Sequence, residues 1–215
     1  MIVTRDALRI GQRQLRGDLV VPADAGAVVV FAHGSGSSRT SPRNRHVAEV
    51  LQACRLATLL LDLLTEAEAD DRRRVFDIPL LAARLGEAVD ACRAAPDLRG
   101  LPIGLFGAST GAAAALVTAA QRPEAIGAVV SRGGRPDLAG GALAAVRAPS
   151  LLIVGGDDEA VLALNRAALA QMQCARRLEI VPGATHLFEE PGALDVVAGL
   201  AAAWFARHLV ATPAA

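Results

Sequence analysis

The stretch LPIGLFGASTGAAAALVTAAQ (101–121) decides the fold. Its first seven residues are mostly apolar or glycine, the composition of a strand buried on both faces. Residues 111–121 are alanine-rich and read as a helix. Between them lies Gly107-Ala-Ser109-Thr-Gly111, a G-x-S-x-G pentapeptide at the junction of predicted strand and predicted helix. A turn this tight leaves no room for side chains two before and two after its centre, which is why both positions need glycine. It also holds the central serine in a strained backbone conformation with its hydroxyl lifted clear of the sheet. Ser109 is therefore read as a nucleophile on a strand-to-helix elbow.

Outward from this stretch the same alternation repeats. AVVVFAH (27–33), LATLLLD (56–62), IGAVVSR (126–132), PSLLIVGG (149–156) and RLEIVPG (177–183) are short, β-rich apolar runs. Residues from about 2 to 21 read as two strands turning near Gly11. Ser41-Pro42 opens a helix with Val47, Val50, Leu51 and Cys54 on one face. Asp77 caps another, whose buried stripe is Ile78, Leu81, Leu85, Val89 and Cys92. Val161, Leu164, Ala168 and Met172 line a third. A last helix, about 193–210, carries Val197, Leu200 and Trp204. TEAEADDRRR (65–74) reads as a solvated loop. Strands alternating with helices predict an α/β domain over 1–215, with a central, mostly parallel sheet of about seven to eight strands and helices on both faces. Residues 132–148 are too few for a sizeable cap domain.

Composition removes several function classes. With 215 residues, 53% of them hydrophobic, and a mean hydropathy of +0.37, disorder is not expected. The apolar runs fall short of the ~20 residues that span a bilayer. The opening MIVTRDALRI lacks the basic-then-apolar pattern of a secretory leader. A formal net charge of zero argues against nucleic acid or an anionic membrane as partner. Cys54, Cys92 and Cys174 are odd in number and widely spaced, so a disulfide framework or C-x-x-C site is not expected and the cytoplasm is the default compartment. The chain has no lysine and no tyrosine. That excludes Schiff-base chemistry, a P-loop and the Tyr/Lys pair of short-chain dehydrogenases. Gly104-x-x-Gly107 also lacks the spacing of a dinucleotide fingerprint.

A serine needs a base. Of four histidines, His46 lies on a predicted helix beside its apolar face, and His208 near the end of the last helix, both read as structural. His33 ends a strand and reads as a brace for the turn that follows. His186, in PGATHLFEEPG after the last strand, reaches the rim where parallel strands deliver their C-terminal ends. The base in turn needs a carboxylate. Asp157 and Asp158 both end the strand before it, and Asp158 could instead cap the following helix; Asp62, at another strand end, reads as a structural hydrogen-bonding partner. Arg39, Arg132 and Arg135 fall near the same rim, where guanidinium groups could pair with a substrate carboxylate or phosphate. Equally, arginine is the only strongly basic residue available to solvate the surface.

HGSGSSRTSPRN (33–44), LLLDLLTEAE (59–68), GASTG (107–111), IVGGDDEAVLALNR (153–166) and VPGATHLFEEPG (181–192) together resemble the dienelactone-hydrolase-related branch of the α/β-hydrolases. The resemblance implies an α/β-hydrolase fold of eight strands or nearly so, and no metal or organic cofactor. It implies a triad of Ser109, Asp158 and His186, in that chain order. Gly155-x-x-Asp158-x-x-Val161 matches the spacing usual in such proteins, which favours Asp158 over Asp157. In hydrolases with the His-Gly turn, the next backbone N–H points at the oxyanion; here that is Ser35, paired with Thr110. The expected activity is hydrolysis of small-molecule carboxylic esters, with thioesters in reach. Alternatives are acyl transfer with the same triad, or a non-catalytic binding protein of hydrolase shape. One departure matters: dienelactone hydrolases proper use a cysteine nucleophile, and no cysteine here falls at an elbow. The dienelactone substrate is therefore not carried over.

Overall fold

Strands whose residues are apolar on both faces can be stable only in the middle of the protein, and five of the six apolar runs are found there, RLEIVPG (177–183) lying instead at the sheet edge. The computed structural model describes residues 3–210. Its single eight-stranded sheet comprises β1 (Val3–Ile10), β2 (Leu15–Val21), β3 (Ala27–Ala32), β4 (Leu56–Leu61), β5 (Ile103–Ala108), β6 (Ile126–Arg132), β7 (Ser150–Gly155) and β8 (Arg176–Val181), in the order β1-β2-β4-β3-β5-β6-β7-β8. β2 runs antiparallel to both its neighbours, and every pair from β4 to β8 is parallel. β3, β4, β5 and β7 are buried along their whole lengths. β8, at the sheet edge, is largely exposed until Val181. Residue 2, near which the first strand is expected to start, lies outside the described residues.

Among the described residues seven helices fill the connections: α1 (Pro42–Ala53), α2 (Glu66–Ala69), α3 (Arg72–Val75), α4 (Ile78–Ala94), α5 (Thr110–Gln121), α6 (Glu159–Gln171) and α7 (Ala193–Leu209). The predicted caps do their work. Ser41 accepts the Asn44 N–H with Pro42 in the first turn, and Asp77 accepts the Leu80 N–H at 3.0 Å. Side chains alternate across each strand, so the two faces have separate cores. Val28, Val30 and Leu105 face α4 and α5, with Leu85, Val89, Ala113 and Leu116. Val29, Phe31 and Phe106 face α1 and α7, with Val47, Leu51, Val197 and Phe205. Among the described residues no helix is long and apolar enough to cross a membrane. Residues 136–145 form 3₁₀ turns, kinked at Gly140, and add no cap domain.

One expectation is corrected. Residues 65–74 are solvated as expected but are not a loop; they hold α2 and most of α3. Thr65 and Glu68 form a capping box, the Thr65 N–H reaching Glu68 Oε2 at 3.0 Å. Glu68 then receives both Nη atoms of Arg84, each at 2.7 Å. Arg84 is buried in α4 and also donates to the Leu63 carbonyl. The charged run is thus tied to the core through one of its own acids.

Candidate active site

The elbow is made by the chain's close approach to itself. A Cβ on Gly107 would lie 2.4 Å from the Cα of Ala112, and one on Gly111 2.2 Å from the carbonyl oxygen of Ala32. Backbone atoms cannot yield at such distances, so neither position accepts a side chain. Ser109 itself takes φ 51°, ψ −121°, a conformation that L residues rarely adopt. It is held there from both sides. Its N–H donates to the Arg132 carbonyl, and its own carbonyl accepts from Arg135 N–H at 3.0 Å and Ala112 N–H at 3.1 Å. The loop after β6 therefore clamps the Ser109 turn. Asn165, buried in α6, fixes that loop in turn by donating to the Gly134 carbonyl at 2.9 Å.

His186 and Asp158 meet at the same rim. His186 Nδ1 and Asp158 Oδ2 are 2.7 Å apart, and the carboxylate is largely buried. Since an ionised carboxylate only accepts, Nδ1 carries the proton and Nε2 is left as the free basic nitrogen. Asp158 begins α6 but makes no side-chain cap bond; its carboxylate serves His186. Asp157 is exposed. His186 also packs toward the clamp, since a Cβ on Gly133 would come within 3.6 Å of its Cε1.

On the other side of Ser109 lies the His-Gly turn. A Cβ on Gly34 would sit 2.8 Å from Ser109 Cβ, so only glycine lets the turn come this close. His33 is buried and braces it: Nε2 accepts the Leu63 N–H at 3.0 Å, which leaves Nδ1–H to donate to the Gly34 carbonyl at 2.9 Å. Burial pushes its pKa down, so the ring stays neutral and structural. Ser35 and Thr110 line a cleft of about 970 Å³ that extends along the 62–75 segment to the β1–β2 hairpin.

The three arginines fare differently. Arg39 donates to Asp18 at 3.2 Å and to Asp62 at 3.1 Å, and Asp62 also takes the Arg39 N–H at 2.8 Å. Against the downward pull of burial, these two acids hold the guanidinium above its ordinary pKa. Arg135 forms a two-pronged pair with Asp137 and is likewise raised. Both already have internal counter-charges. Arg132 does not: it is 7% exposed, and its Nη1 is buried without a hydrogen-bond partner. Burial, and next the charge of Arg43, lower it to about 10. Arg43 was invisible to sequence reasoning, as was Asp18 as a partner of Arg39; nothing in a residue's type shows which distant strand it will face. His46 pairs with Asp195 at 2.7 Å and His208 packs against Trp204 with the rings tilted by 54°, as structural residues.

The dienelactone hydrolase family model matches residues 65–208. Relatives from two strains of Mycobacterium tuberculosis, provisionally named phosphoribosyl transferases, are 57% identical over 199 residues, or 93% of this chain. The chain spans only 45% of their length. A dienelactone hydrolase from Anabaena variabilis superposes with a TM-score of 0.93 at 57% identity, covering 97% of this chain and 99% of that one. Est1E from Butyrivibrio proteoclasticus shares the fold at TM-score 0.78 and 16% identity, over 94% and 98% of the two chains. An eight-stranded sheet in this order, an elbow serine and this degree of similarity lead to one assignment: the chain belongs to the dienelactone hydrolase family of α/β-hydrolases.

Proposed function

We propose that the protein is a serine hydrolase of small carboxylic esters, with thioesters in reach. Ser109 Oγ attacks the acyl carbon while His186 Nε2 takes its proton. Asp158 holds the ring and stabilises the imidazolium. The backbone N–H groups of Ser35 and Thr110 receive the oxyanion, a contribution of several kcal/mol in sites of this type. Collapse returns the proton to the leaving oxygen or sulfur and leaves an acyl-Ser109. Water, deprotonated by the same histidine, then releases the acid. No cofactor enters these steps. The observation that carries this reading is the 2.7 Å His186–Asp158 bond beside a strained elbow whose serine is half-buried.

The transferase name of the Mycobacterium relatives belongs to proteins more than twice this length, so it does not displace the hydrolase reading. Acyl transfer is a second use of the same acyl-enzyme, differing only in the acceptor. Fluorophosphonate labelling followed by peptide mapping tests the proposal, together with turnover of short p-nitrophenyl esters. Label on Ser109, and loss of both label and turnover in Ser109→Ala, is the expected result. Turnover that survives Ser109→Ala would overturn it. Adding an alcohol acceptor and identifying the product separates hydrolysis from transfer.

A further inference from the structure

β8 is the last strand of the sheet, so one side of its backbone has no neighbouring strand. Two bonds fix which residues face that side. Ser150 N–H donates to the Ala175 carbonyl at 2.9 Å, and Gly156 N–H to the Val181 carbonyl at 2.8 Å. Backbone polar groups alternate in direction along a strand, so residues 175, 177, 179 and 181 turn theirs toward β7. Arg176, Leu178 and Ile180 turn theirs outward, where among the described residues no partner meets them. Pro182, the next to face outward, has no N–H and ends the ladder. The side chains divide by face. Val181 belongs to the core beneath α1 and α7, which places Arg177 and Glu179 on that side, paired with each other. Leu178 packs against the opposite core, and Ile180, on the same side, is 40% exposed. An open edge with an apolar side chain recruits another strand, and arginine on an edge is the usual guard against it. Here the guard carries its own counter-charge two residues on.

We infer that β8 joins β8 of a second copy of this chain, antiparallel about a twofold axis at Leu178. The charges select that centre. Centred on Arg176, Arg177 or Glu179, the axis would set a like charge directly opposite itself, which is unfavourable. Centred on Ile180, it would set Leu178 against Pro182, which has no N–H to give. Centred on Leu178, every group finds its complement. Leu178 exchanges two hydrogen bonds with its copy, and Arg176 exchanges two with Ile180 at each end. Arg177 faces Glu179 of the second copy across a non-hydrogen-bonded pair, about 4.5 Å between Cα atoms. The aliphatic stem of Arg176 covers the exposed Ile180. Two eight-stranded sheets become one, and because the strands run oppositely the two Ser109 rims open at opposite ends. This association is independent of the hydrolase reading above.

Sedimentation equilibrium up to about 100 µM, enough to fill a dimer of micromolar Kd, tests it. The wild type should show the mass of two protomers. Glu179→Arg and Arg177→Glu should each show the mass of one, with the circular dichroism of the wild type. An equimolar mixture of these two variants should show the mass of two again, because each supplies the charge the other lacks. By NMR, the Leu178 and Ile180 N–H groups should exchange about tenfold more slowly in the wild type than in Glu179→Arg, while the Arg177 N–H, already turned to β7, changes little. A wild type that keeps the mass of one protomer over this range overturns the inference and leaves the edge to a different partner. A dimer that survives both single variants places the interface elsewhere, and a mixture that stays monomeric refutes the Arg177–Glu179 register; either overturns it.

Discussion

The two walls around Ser109 are built on opposite plans. One comprises the elbow, the loop after β6 and the His186 segment. It is held by backbone hydrogen bonds and by glycines whose missing side chains let main chain touch main chain. The other comprises the 33–40 turn, residues 62–75 and α4. Besides the neutral His33 brace, it is held by charged side chains: Arg39 between Asp18 and Asp62, and Arg84 on Glu68. Backbone contacts fix position within a fraction of an ångström and do not titrate. Ion pairs are weaker in geometry but can be removed by one proton or one methyl group. Ser109, Asp158 and His186 sit on the first wall and the body of the cleft on the second, so under the proposed mechanism precision is concentrated where bonds would break.

The largest effect should appear where a titratable pair enters the backbone wall. Asp158→Asn keeps the shape but can donate rather than accept at Nδ1, which favours the wrong tautomer of His186. A fall in kcat of about 10³–10⁴ is expected, read with a p-nitrophenyl ester. Asp157→Asn, an exposed position whose change leaves the His186–Asp158 bond in place, should stay within about twofold of wild type. If the two variants fall together, the assignment of the acid is broken. On the charged wall the largest loss is in stability. Glu68→Gln strands Arg84 at 4% exposure, and removing one partner of a buried pair costs about 3–5 kcal/mol. A shift in urea midpoint with unchanged slope would measure it. Gly34→Ala comes next, with its Cβ 2.8 Å from Ser109 Cβ and 3.1 Å from the Ala108 carbonyl oxygen. Overpacking of this kind costs about 1–3 kcal/mol, and because it presses on the nucleophile, kcat should fall more than the urea midpoint does.

The same division explains what could be read from the sequence. The backbone wall was legible because close approach has a residue signature: only glycine fits at 107 and 111, and the buried strands announce themselves as apolar runs. That His186 reaches the rim beside Asp158 followed from its place after the last strand. The choice between Asp157 and Asp158 depended on which carboxylate the turn after β7 aims inward, a matter of direction that residue type does not encode. The charged wall was the harder part. Arg84 and Glu68 stand on different elements, and Arg39 finds Asp18 across the strand order β2-β4-β3, which no local pattern specifies. Even so, one signal was present at 65–74. Thr65-x-x-Glu68 is a capping box, and it marks a helix start inside what composition alone presents as a solvated run. Arg132 shows the opposite limit, since its type was noticed but its lack of a counter-charge is a property of the folded surroundings only.

The smallest expected effect separates the walls by pH. Hydrogen bonds from Arg84 lead the causes that lower the Glu68 carboxyl from 4.5 to about 2 in the folded protein. A carboxyl that binds its proton less readily when folded than when unfolded stabilises the fold wherever it is ionised in both states. That contribution is fully present above pH 4.5 and declines as the pH falls from there toward about 2. Between pH 7 and 5 the urea midpoint should therefore be nearly flat with respect to this group. Below 4.5 the wild type should lose stability more steeply than Glu68→Gln, whose side chain has no proton to gain, and the gap between them should narrow. Two curves that stay parallel down to pH 3 would show that the Glu68–Arg84 pair does not hold the charged wall, and the contrast between the walls would then need another origin.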